Sequence, residues 1–244
     1  MKAEEKSFVK TLVQRAAAPY RSLGQYPWRF GLGKLGGDPA FAQLLARGLL
    51  TGRQHVLDIG AGQGLLTAWL LAASEAAQQG RWPAQWPAAP APRTVHGIEL
   101  MQHDVDRASQ ALGGAIRQGV ASFVAADMRK ADFGRADAVV ILDVLHYVPI
   151  ADQDEVLRRV RDALSPGGVL LLRIGDRAGG LPFWISYGVD ALVTTLRGHR
   201  LTRLYCRPLA QWQEQLRALG FDVQVQPMSE GTPFANIMLV ARLR

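Results

Sequence analysis

The feature that most constrains the fold of this chain is an alternation of short apolar segments with segments of helical period. Five segments rich in Val, Ile and Leu follow one another, and their sequences are HVLDIG, TVHGIEL, ASFVAAD, ADAVVILDV and GVLLLRIG. Stretches with apolar residues at helical spacing lie between them, as in DQDEVLRRVRDALSPGG. Buried parallel strands have this apolar character, and the helices between them cover the sheet. The sequence therefore predicts an α/β fold with a mostly parallel sheet.

The end of the chain predicts a change in strand direction. A helical segment, LAQWQEQLRALG, precedes the apolar segments FDVQVQPMS and NIMLVARL. Only a short link, which contains Gly231 and Pro233, joins these two segments. Because strands so close in sequence pair antiparallel, we expect a mostly parallel seven-stranded sheet with an antiparallel last strand.

The start of the chain is predicted to lie apart from this α/β pattern. Residues 4–18 have an amphipathic helical period that ends at a proline, and the aromatic, glycine-rich segment YPWRFGLGKLGG follows as a predicted loop. Asp38 then has the position of a helix N-cap, with a proline directly after it. We expect an N-terminal helix and lid loop in residues 1–37 and the main domain in residues 38–244.

Two insertions interrupt the main domain. Residues 78–93, QQGRWPAQWPAAPAPR, are rich in Ala, Pro and Trp, so we expect an extended surface segment there. Residues 177–201 separate the fifth predicted strand from the last predicted helix. Neither insertion is expected to be a domain boundary.

Composition narrows the class of protein. The 244 residues include 28 Lys and Arg against 21 Asp and Glu, a formal charge of +7, and 48% are hydrophobic. This balance excludes disorder and coiled coil. Cys206 is the single cysteine, so the chain has neither an intrachain disulfide nor a thiol cluster for zinc, and we expect a cytoplasmic protein without a metal. The sequence also lacks the run of ~18 apolar residues that a membrane-spanning helix needs.

Arginine residues are concentrated in one segment that contains no acidic residue. They are Arg197, Arg200, Arg203 and Arg207. Two interpretations stay open for this segment. It is either a solvated surface or a place of contact with phosphates or with anionic lipid headgroups at a membrane.

The segment VLDIGAGQG predicts a ligand-binding loop. A buried strand runs into Gly60, Gly62 and Gly64, and the helical segment LLTAWLLAA follows. Glycines at such a turn let the backbone approach a ligand, and the helix N-terminus offers free N–H groups. The glycine spacing differs from the G-x-G-x-x-G of dinucleotide loops. Asp58 precedes the glycines, so a pyrophosphate would be repelled here and a cationic ligand attracted.

Acidic residues end four consecutive predicted strands. They are Asp58, Glu99, Asp127 and Asp143. Ligands of open α/β sheets bind at the carboxyl ends of the strands, so we expect these acids at one ligand site. Glu99 stands where a carboxylate accepts hydrogen bonds from both hydroxyls of a ribose, and Asp127 is placed to accept from the amino group of an adenine.

With these motifs in this order, the sequence resembles the class I S-adenosylmethionine (SAM)-dependent methyltransferases. VLDIGAGQG resembles their first motif, GIEL their second-strand acid, AADM their adenine contact, ADAVVILDVLHYV their fourth-strand motif and LSPGGVLLLRIGD their fifth-strand motif. The resemblance covers residues 38–244. It implies a Rossmann-like three-layer sandwich, SAM as the methyl donor and S-adenosylhomocysteine (SAH) as the product.

The resemblance also implies the residues of the donor site. The first-motif residues and Asp143 would bind the methionine moiety, Glu99 the ribose, and Leu100, Asp127 and Met128 the adenine. The full set is Asp58, Gly60, Ala61, Gly62, Gly64, Glu99, Leu100, Asp127, Met128 and Asp143.

The residues after the fourth strand are candidates for the acceptor side. His146 in DVLHYVP is placed to take a proton from a hydroxyl near pH 7, and the alternative is that it caps the loop or packs on the donor. Tyr147 is expected in the wall of the acceptor pocket. Arg173 interrupts an apolar strand, so it either pairs with Asp143 or Asp176 or points into the acceptor site.

The second insertion is predicted to cover the acceptor. Its segment LPFWISYGVDALVTTL has a broad apolar face. That face either packs against the domain, or forms a lid over a lipophilic acceptor, or touches a membrane. We expect a hydrophobic pocket roofed by Trp184 and Tyr187.

The sequence thus predicts an enzyme that methylates a small or medium, lipophilic or aromatic hydroxyl or carboxyl compound, as in secondary metabolism. Alternatives are an RNA or protein methyltransferase, a nicotinamide oxidoreductase and a non-catalytic SAM-binding protein. The basic charge favours RNA, but the sequence lacks an appended RNA module. The acceptor and the oligomeric state stay open.

Overall fold

The computed structural model describes residues 1–175, 204–228 and 236–244. The described chain divides into two compact units. Unit 1 comprises Met1–Asp132 with Ala136–Ala138, and unit 2 comprises Phe133–Arg135 with Val139–Arg244. The predicted insertion 177–201 lies outside the described residues.

Seven strands form one mixed sheet in the order β3-β2-β1-β4-β5-β7-β6. The strands are β1 (His55–Ile59), β2 (Thr94–Glu99), β3 (Ala121–Ala125), β4 (Ala136–Leu142), β5 (Leu164–Gly175), β6 (Phe221–Pro227) and β7 (Asn236–Leu243). The predicted α/β fold is confirmed, with every predicted strand in its place. The predicted antiparallel ending is also confirmed, because β7 runs antiparallel to both β5 and β6.

Helices alternate with these strands. They are α1 (Ala3–Ala17), α2 (Gln25–Gly37), α3 (Pro39–Ala46), α4 (Leu65–Gln78), α5 (Gln102–Ala111), α6 (Gly113–Arg117), α7 (Ile150–Ala163) and α8 (Leu209–Ala218), with 3₁₀ helices at Ala18–Leu23 and Leu145–Tyr147. Among the described residues, no helix is both long and apolar enough to cross a membrane.

The predicted lid loop before residue 38 is wrong, because this segment is helical. Glycine weakens a helix in isolation, and α2 contains four glycines. Gly31 explains why α2 is helical despite these glycines. A Cβ atom at Gly31 would lie 3.4 Å from Leu65 Cδ2 and 3.6 Å from Ala17 Cβ, so glycine lets α2 approach α1 and α4 closely. Tertiary packing therefore outweighs local propensity here.

Unit 1 contains the parallel strands β1, β2 and β3 and the helices α1 to α6. Asp38 caps α3 as predicted, since its carboxylate accepts a hydrogen bond of 3.1 Å from the amide of Ala40. The residues from 79 to 93 form neither helix nor strand, as expected for the first insertion. Their anchor is Trp86, which is buried and donates a hydrogen bond of 3.0 Å to Glu5 on α1.

Unit 2 contains β5, β7 and β6 together with α7 and α8. The central residues of β5 and β7 are fully buried, as their apolar sequences predict. Trp212 and Leu216 lie on the buried side of α8. The loop that follows β4 belongs to this unit and begins at Asp143.

Candidate functional site

The loop after β1 has a backbone that only glycine adopts readily. Gly60, Gly62 and Gly64 have φ angles of 81°, 53° and 80°. A Cβ atom at Gly64 would lie 3.0 Å from the ring of Phe123, whereas the space beside Gly62 is open to 4 Å. The loop is therefore tightly packed at its helix end and accessible at its middle glycine.

Four amides of this loop are engaged within the chain. Those of Gly60 and Ala61 donate to the carbonyl of Ile98 at 2.8 and 3.1 Å, and that of Gly64 donates to the carbonyl of Ala61 at 2.9 Å. The amide of Gly62 donates to Glu99 Oε2 at 2.9 Å. These four amides of the loop are therefore already paired, and the expected free N–H groups are those of the helix that begins at Leu65. The loop thus suits the cationic end of a ligand better than a phosphate.

Glu99, at the end of β2, is held by the backbone on both sides. Its Oε2 atom accepts from Gly62, and its Oε1 atom accepts a hydrogen bond of 3.0 Å from the amide of Met101. Each carboxylate oxygen can accept a second hydrogen bond. The orientation of the carboxylate is therefore fixed while it keeps the capacity to accept from two neighbouring hydroxyls.

Asp58, on β1, is 4% exposed. Burial, assisted by the negative charge of Glu99, raises the pKa of Asp58 to about 7. A buried carboxyl of this kind gains from a nearby cation, because the cation favours its charged form. Asp58 and Glu99 together make this end of unit 1 attractive to a positively charged ligand.

The predicted adenine contacts lie after β2 and β3. Leu100 is 61% exposed, an unusual position for a large apolar side chain. Asp127 is bound by Arg129, whose Nε and Nη2 atoms donate to its carboxylate at 2.9 and 2.5 Å, and these hydrogen bonds lower the pKa of Asp127. The sequence analysis missed this pair, although a basic residue two positions after the acid was visible.

In unit 2 the structure decides between the alternatives that the sequence left open for Arg173. Arg173 on β5 donates to Asp143 through Nε at 2.8 Å and also through Nη2. The Arg173 side chain is 1% exposed, and a charge so deeply buried requires a partner. Asp143 has a φ angle of 58°, which is uncommon for a residue other than glycine. Of the alternatives for Arg173, the structure therefore shows the pair with Asp143.

His146 lies in the 3₁₀ helix after β4. Burial lowers its pKa, and the charge of Asp143 acts in the opposite direction. Its ring is tilted against that of Tyr147, with the centroids 4.4 Å apart. The imidazole is therefore neutral near pH 7, which is the form that accepts a proton.

The His146 loop is connected to residues 204–208 by hydrogen bonds that the sequence analysis missed. The amide of Tyr205 donates to the carbonyl of His146 at 2.8 Å. Gln153 on α7, which is fully buried, donates to the carbonyls of Val148 and Tyr205 at 2.9 and 2.8 Å. Its Oε1 atom accepts from Arg207 Nε at 2.9 Å. A glutamine on the apolar side of α7 was the available signal for this network.

The burial of Arg207 contradicts, for this residue, the interpretation of the arginine segment as a solvated surface. Its side chain is 5% exposed, forms an ion pair of 2.8 Å with Asp154 and lies over the ring of Trp212. Arg207 is thus part of the interior of unit 2. The other three arginines of that segment lie outside the described residues.

Comparison with known proteins identifies a methyltransferase domain in part of the chain. Residues 57–170 match the family model described as a methyltransferase domain. The structure resembles an O-methyltransferase family protein from Burkholderia thailandensis, with a TM-score of 0.61 and 17% identity over 91% of this chain and 61% of that one. It also resembles magnesium protoporphyrin IX methyltransferase from Synechocystis PCC 6803 with bound SAH, with a TM-score of 0.59 and 21% identity over 93% of this chain and 94% of that one.

Residues 57–170 thus match a methyltransferase domain, and the chain has the fold of SAM-dependent methyltransferases. The fold and the donor that the sequence predicted are those of this family.

Similarity in sequence points to a narrower group of relatives. A carboxy-S-adenosyl-L-methionine synthase from Chromohalobacter salexigens is 31% identical over 140 residues, 55% of this chain and 47% of the relative. One with the same name from Shewanella frigidimarina is 26% identical over 78 residues, 32% of each chain. The chain thus matches less than half the length of these relatives.

In this methyltransferase domain, the structure brings part of the predicted donor site together. Unit 1 joins the glycine loop to Glu99 through the Gly62 amide, and the charge of Glu99 acts on Asp58. Unit 2 joins Asp143 to Arg173 and places His146 beside Tyr147. Trp184 and Tyr187 lie outside the described residues, so the predicted roof of the acceptor pocket stays a prediction.

Proposed function

We propose that this chain transfers a methyl group from SAM to a small-molecule acceptor. The observation that carries the proposal is the arrangement of Glu99, whose two carboxylate oxygens are oriented by the amides of Gly62 and Met101. A vicinal diol, such as that of the donor ribose, presents two hydroxyls that such a carboxylate accepts together. The motifs around Glu99 resemble those of the methyltransferases, and the Glu99 carboxylate suits the ribose of the donor.

The remaining donor residues fit the other parts of SAM. Asp58 would receive the ammonium group of the methionine moiety, since a cation favours the charged form of this buried carboxyl. The exposed side chain of Leu100 offers an apolar surface to the adenine, and Met128 would flank the adenine together with it. Asp127 would accept from the adenine amino group while it stays paired with Arg129.

On the acceptor side, we assign the general base to His146. SAM supplies an electrophilic methyl group on a sulfonium, so the protein has only to orient the acceptor, exclude water and remove one proton. A neutral His146 can take that proton from a hydroxyl or phenol. A carboxylate acceptor would need no base. Tyr147, Trp184 and Tyr187 would form an apolar wall, and the acceptor is accordingly a lipophilic hydroxyl or carboxyl compound.

The Asp143–Arg173 pair takes a different place in this proposal from the one that the resemblance implied. A carboxylate that already has a bidentate arginine partner is weakly attractive to a further cation. We therefore assign the methionine ammonium to Asp58 alone, and we give the pair the role of fixing the backbone before His146.

Binding of SAH tests the donor assignment. We expect calorimetry to show binding in the micromolar range or tighter, and the melting temperature to rise because a ligand at a hundredfold excess over Kd adds ~2.7 kcal/mol to stability. NADH is the control and should leave the melting temperature unchanged. No heat and no shift with SAH would overturn the proposed function.

A second candidate function follows from the names of the relatives. Those matched in sequence are carboxy-SAM synthases, so modification of the donor itself is the alternative to methyl transfer. Mass spectrometry of the donor after incubation with a cell extract distinguishes them. Methyl transfer yields SAH, whereas the alternative yields a derivative that is heavier by the mass of CO2, because a carboxyl group replaces one hydrogen of the donor.

A further inference from the structure

Gln63, in the glycine loop, forms two hydrogen bonds with the N-terminal segment. It lies between Gly62 and Gly64 and is 3% exposed. Its carbonyl accepts a hydrogen bond of 2.8 Å from the hydroxyl of Tyr20. Its side-chain amide donates a hydrogen bond of 2.9 Å to the carbonyl of Pro27. Two buried hydrogen bonds of opposite direction thus join one loop residue to the N-terminal segment.

These bonds matter because glycine itself does little to restrict the backbone at this point of the loop. The glycines on both sides of Gln63 restrict the backbone less than any other residue would. The amide of Gly62 in turn orients Glu99. A movement of the loop at Gln63 would therefore reach the carboxylate through one intervening residue.

The N-terminal segment is itself fixed to unit 1 by independent contacts. Arg15 on α1 donates a hydrogen bond of 3.0 Å to Gln79, directly after α4, and lies 3.6 Å from Glu75 on that helix. Tyr20 is completely buried. The hydroxyl of Tyr20 thus reaches the loop from a firmly packed part of unit 1.

From this geometry we infer that Tyr20 and Gln63 are positioning residues for the methyl donor. They hold the glycine loop in register with Glu99, so the N-terminal helices form a structural part of the donor site. The inference rests on the proposed donor and adds two residues to the site: Tyr20, which lies outside the donor motifs, and Gln63, which lies within the first motif but had no role assigned to it. Neither residue needs to touch the donor, because both act through the amide of Gly62.

The test removes single hydrogen bonds and measures SAH binding to the full chain by calorimetry, at a temperature where every variant is folded. Tyr20→Phe removes only the hydroxyl and leaves the carbonyl of Gln63 buried without its partner. We expect its Kd for SAH to rise roughly tenfold. Gln63→Leu keeps the loop carbonyl and removes the bond to Pro27, and it should also weaken SAH binding.

Thr51→Val is the matched control. The hydroxyl of Thr51 donates to the carbonyl of Ala88 at 2.6 Å, so this substitution also removes one hydroxyl-to-carbonyl bond within unit 1, but away from the loop. It should leave the Kd unchanged even if it lowers the melting temperature. An equal Kd in Tyr20→Phe and the unsubstituted protein would overturn the inference while leaving the donor assignment intact.

A double-mutant cycle shows whether Tyr20 acts through Glu99. If it does, Tyr20→Phe should change the Kd much less in a Glu99→Gln background than in the unsubstituted protein. Fully additive effects would mean that Tyr20 affects binding independently of Glu99, and this would overturn the inference. Failure of the unsubstituted protein to bind SAH would instead overturn the proposed function, and the inference with it.

Discussion

At the scale of single residues, Asp58 gives the donor site a pH dependence with a definite sign. Its pKa is raised to about 7 in the folded chain, against about 3.9 in an unfolded one. The folded state therefore binds more protons between these values, so this group lowers the stability of the protein as pH rises from 4 to 7. A cationic ligand beside the carboxyl would lower its pKa and release the proton.

We accordingly predict that SAH binds more tightly as pH rises from 5.5 to 7, by at most about tenfold per pH unit, and that the affinity levels off above pH 7.5. Calorimetry in two buffers of different ionisation enthalpy should show nearly one proton released per SAH bound at pH 6. Asp58→Asn should abolish that release. A Kd without pH dependence would place the ammonium group away from Asp58.

Glu99 carries the second residue-scale prediction. Glu99→Ala removes two charge-assisted hydrogen bonds to the ribose, which contribute ~1.5–3 kcal/mol each before compensation. The Kd for SAH should rise at least tenfold while the circular dichroism spectrum stays that of the folded protein. Glu155→Ala, on the exposed surface of α7, is a control that should leave the Kd unchanged. Equal affinities in Glu99→Ala and the unsubstituted protein would exclude ribose binding at this position.

At the scale of elements, one buried side chain joins α7 to the His146 loop and to residues 204–208. Gln153→Leu keeps the size of that side chain but removes its hydrogen bonds to Val148, Tyr205 and Arg207. Each buried polar group left without a partner costs ~1–3 kcal/mol, so we expect the free energy of unfolding to fall by ~2–5 kcal/mol. Urea denaturation measures it. Gln102→Leu removes an exposed bond to Asp106 and should change stability by less than ~0.5 kcal/mol.

The elements also show what the sequence could and could not predict. The strands were predictable because their apolar runs must be buried. The cap at Asp38 was predictable because an N-cap is a local signal. The helix α2 was not predictable. The cost of its glycines is offset by the close packing of Gly31 against Leu65 and Ala17, and this packing exists only in three dimensions. The burial of Arg207 was equally hidden, because Gln153, Asp154 and Trp212 are its partners only in three dimensions.

The candidate site follows the same division. Glu99 and Asp58 were predictable from their places at strand ends. The pairing of Asp143 with Arg173 could only be stated as an alternative, because position along a strand does not decide which of two partners a buried charge meets. The bond from Tyr20 to Gln63 spans 43 positions and leaves no pattern in the sequence.

At the scale of the whole molecule, the net charge of +7 means that a test of function has to include nucleic acid as a possible methyl acceptor. A basic protein attracts RNA through its phosphates whatever it methylates, and such binding weakens as salt rises. Binding of RNA therefore discriminates poorly between the candidate functions. Covalent transfer of the methyl group discriminates well, because it records which molecule reaches the reactive carbon.

We predict that methyl-labelled SAM, incubated with this protein and cell extract, gives label in the organic-solvent fraction and little in RNA or protein. The physical reason is the apolar surface predicted for the acceptor side, which would be unfavourable in water at ~25 cal/mol per Å² unless a lipophilic molecule covers it. Glu99→Gln is the matched control, because it keeps the size of the side chain while weakening donor binding, and it should lose most of the transfer. Label that persists in RNA or protein at high salt, and that Glu99→Gln reduces, would contradict the small-molecule acceptor in favour of a macromolecular one.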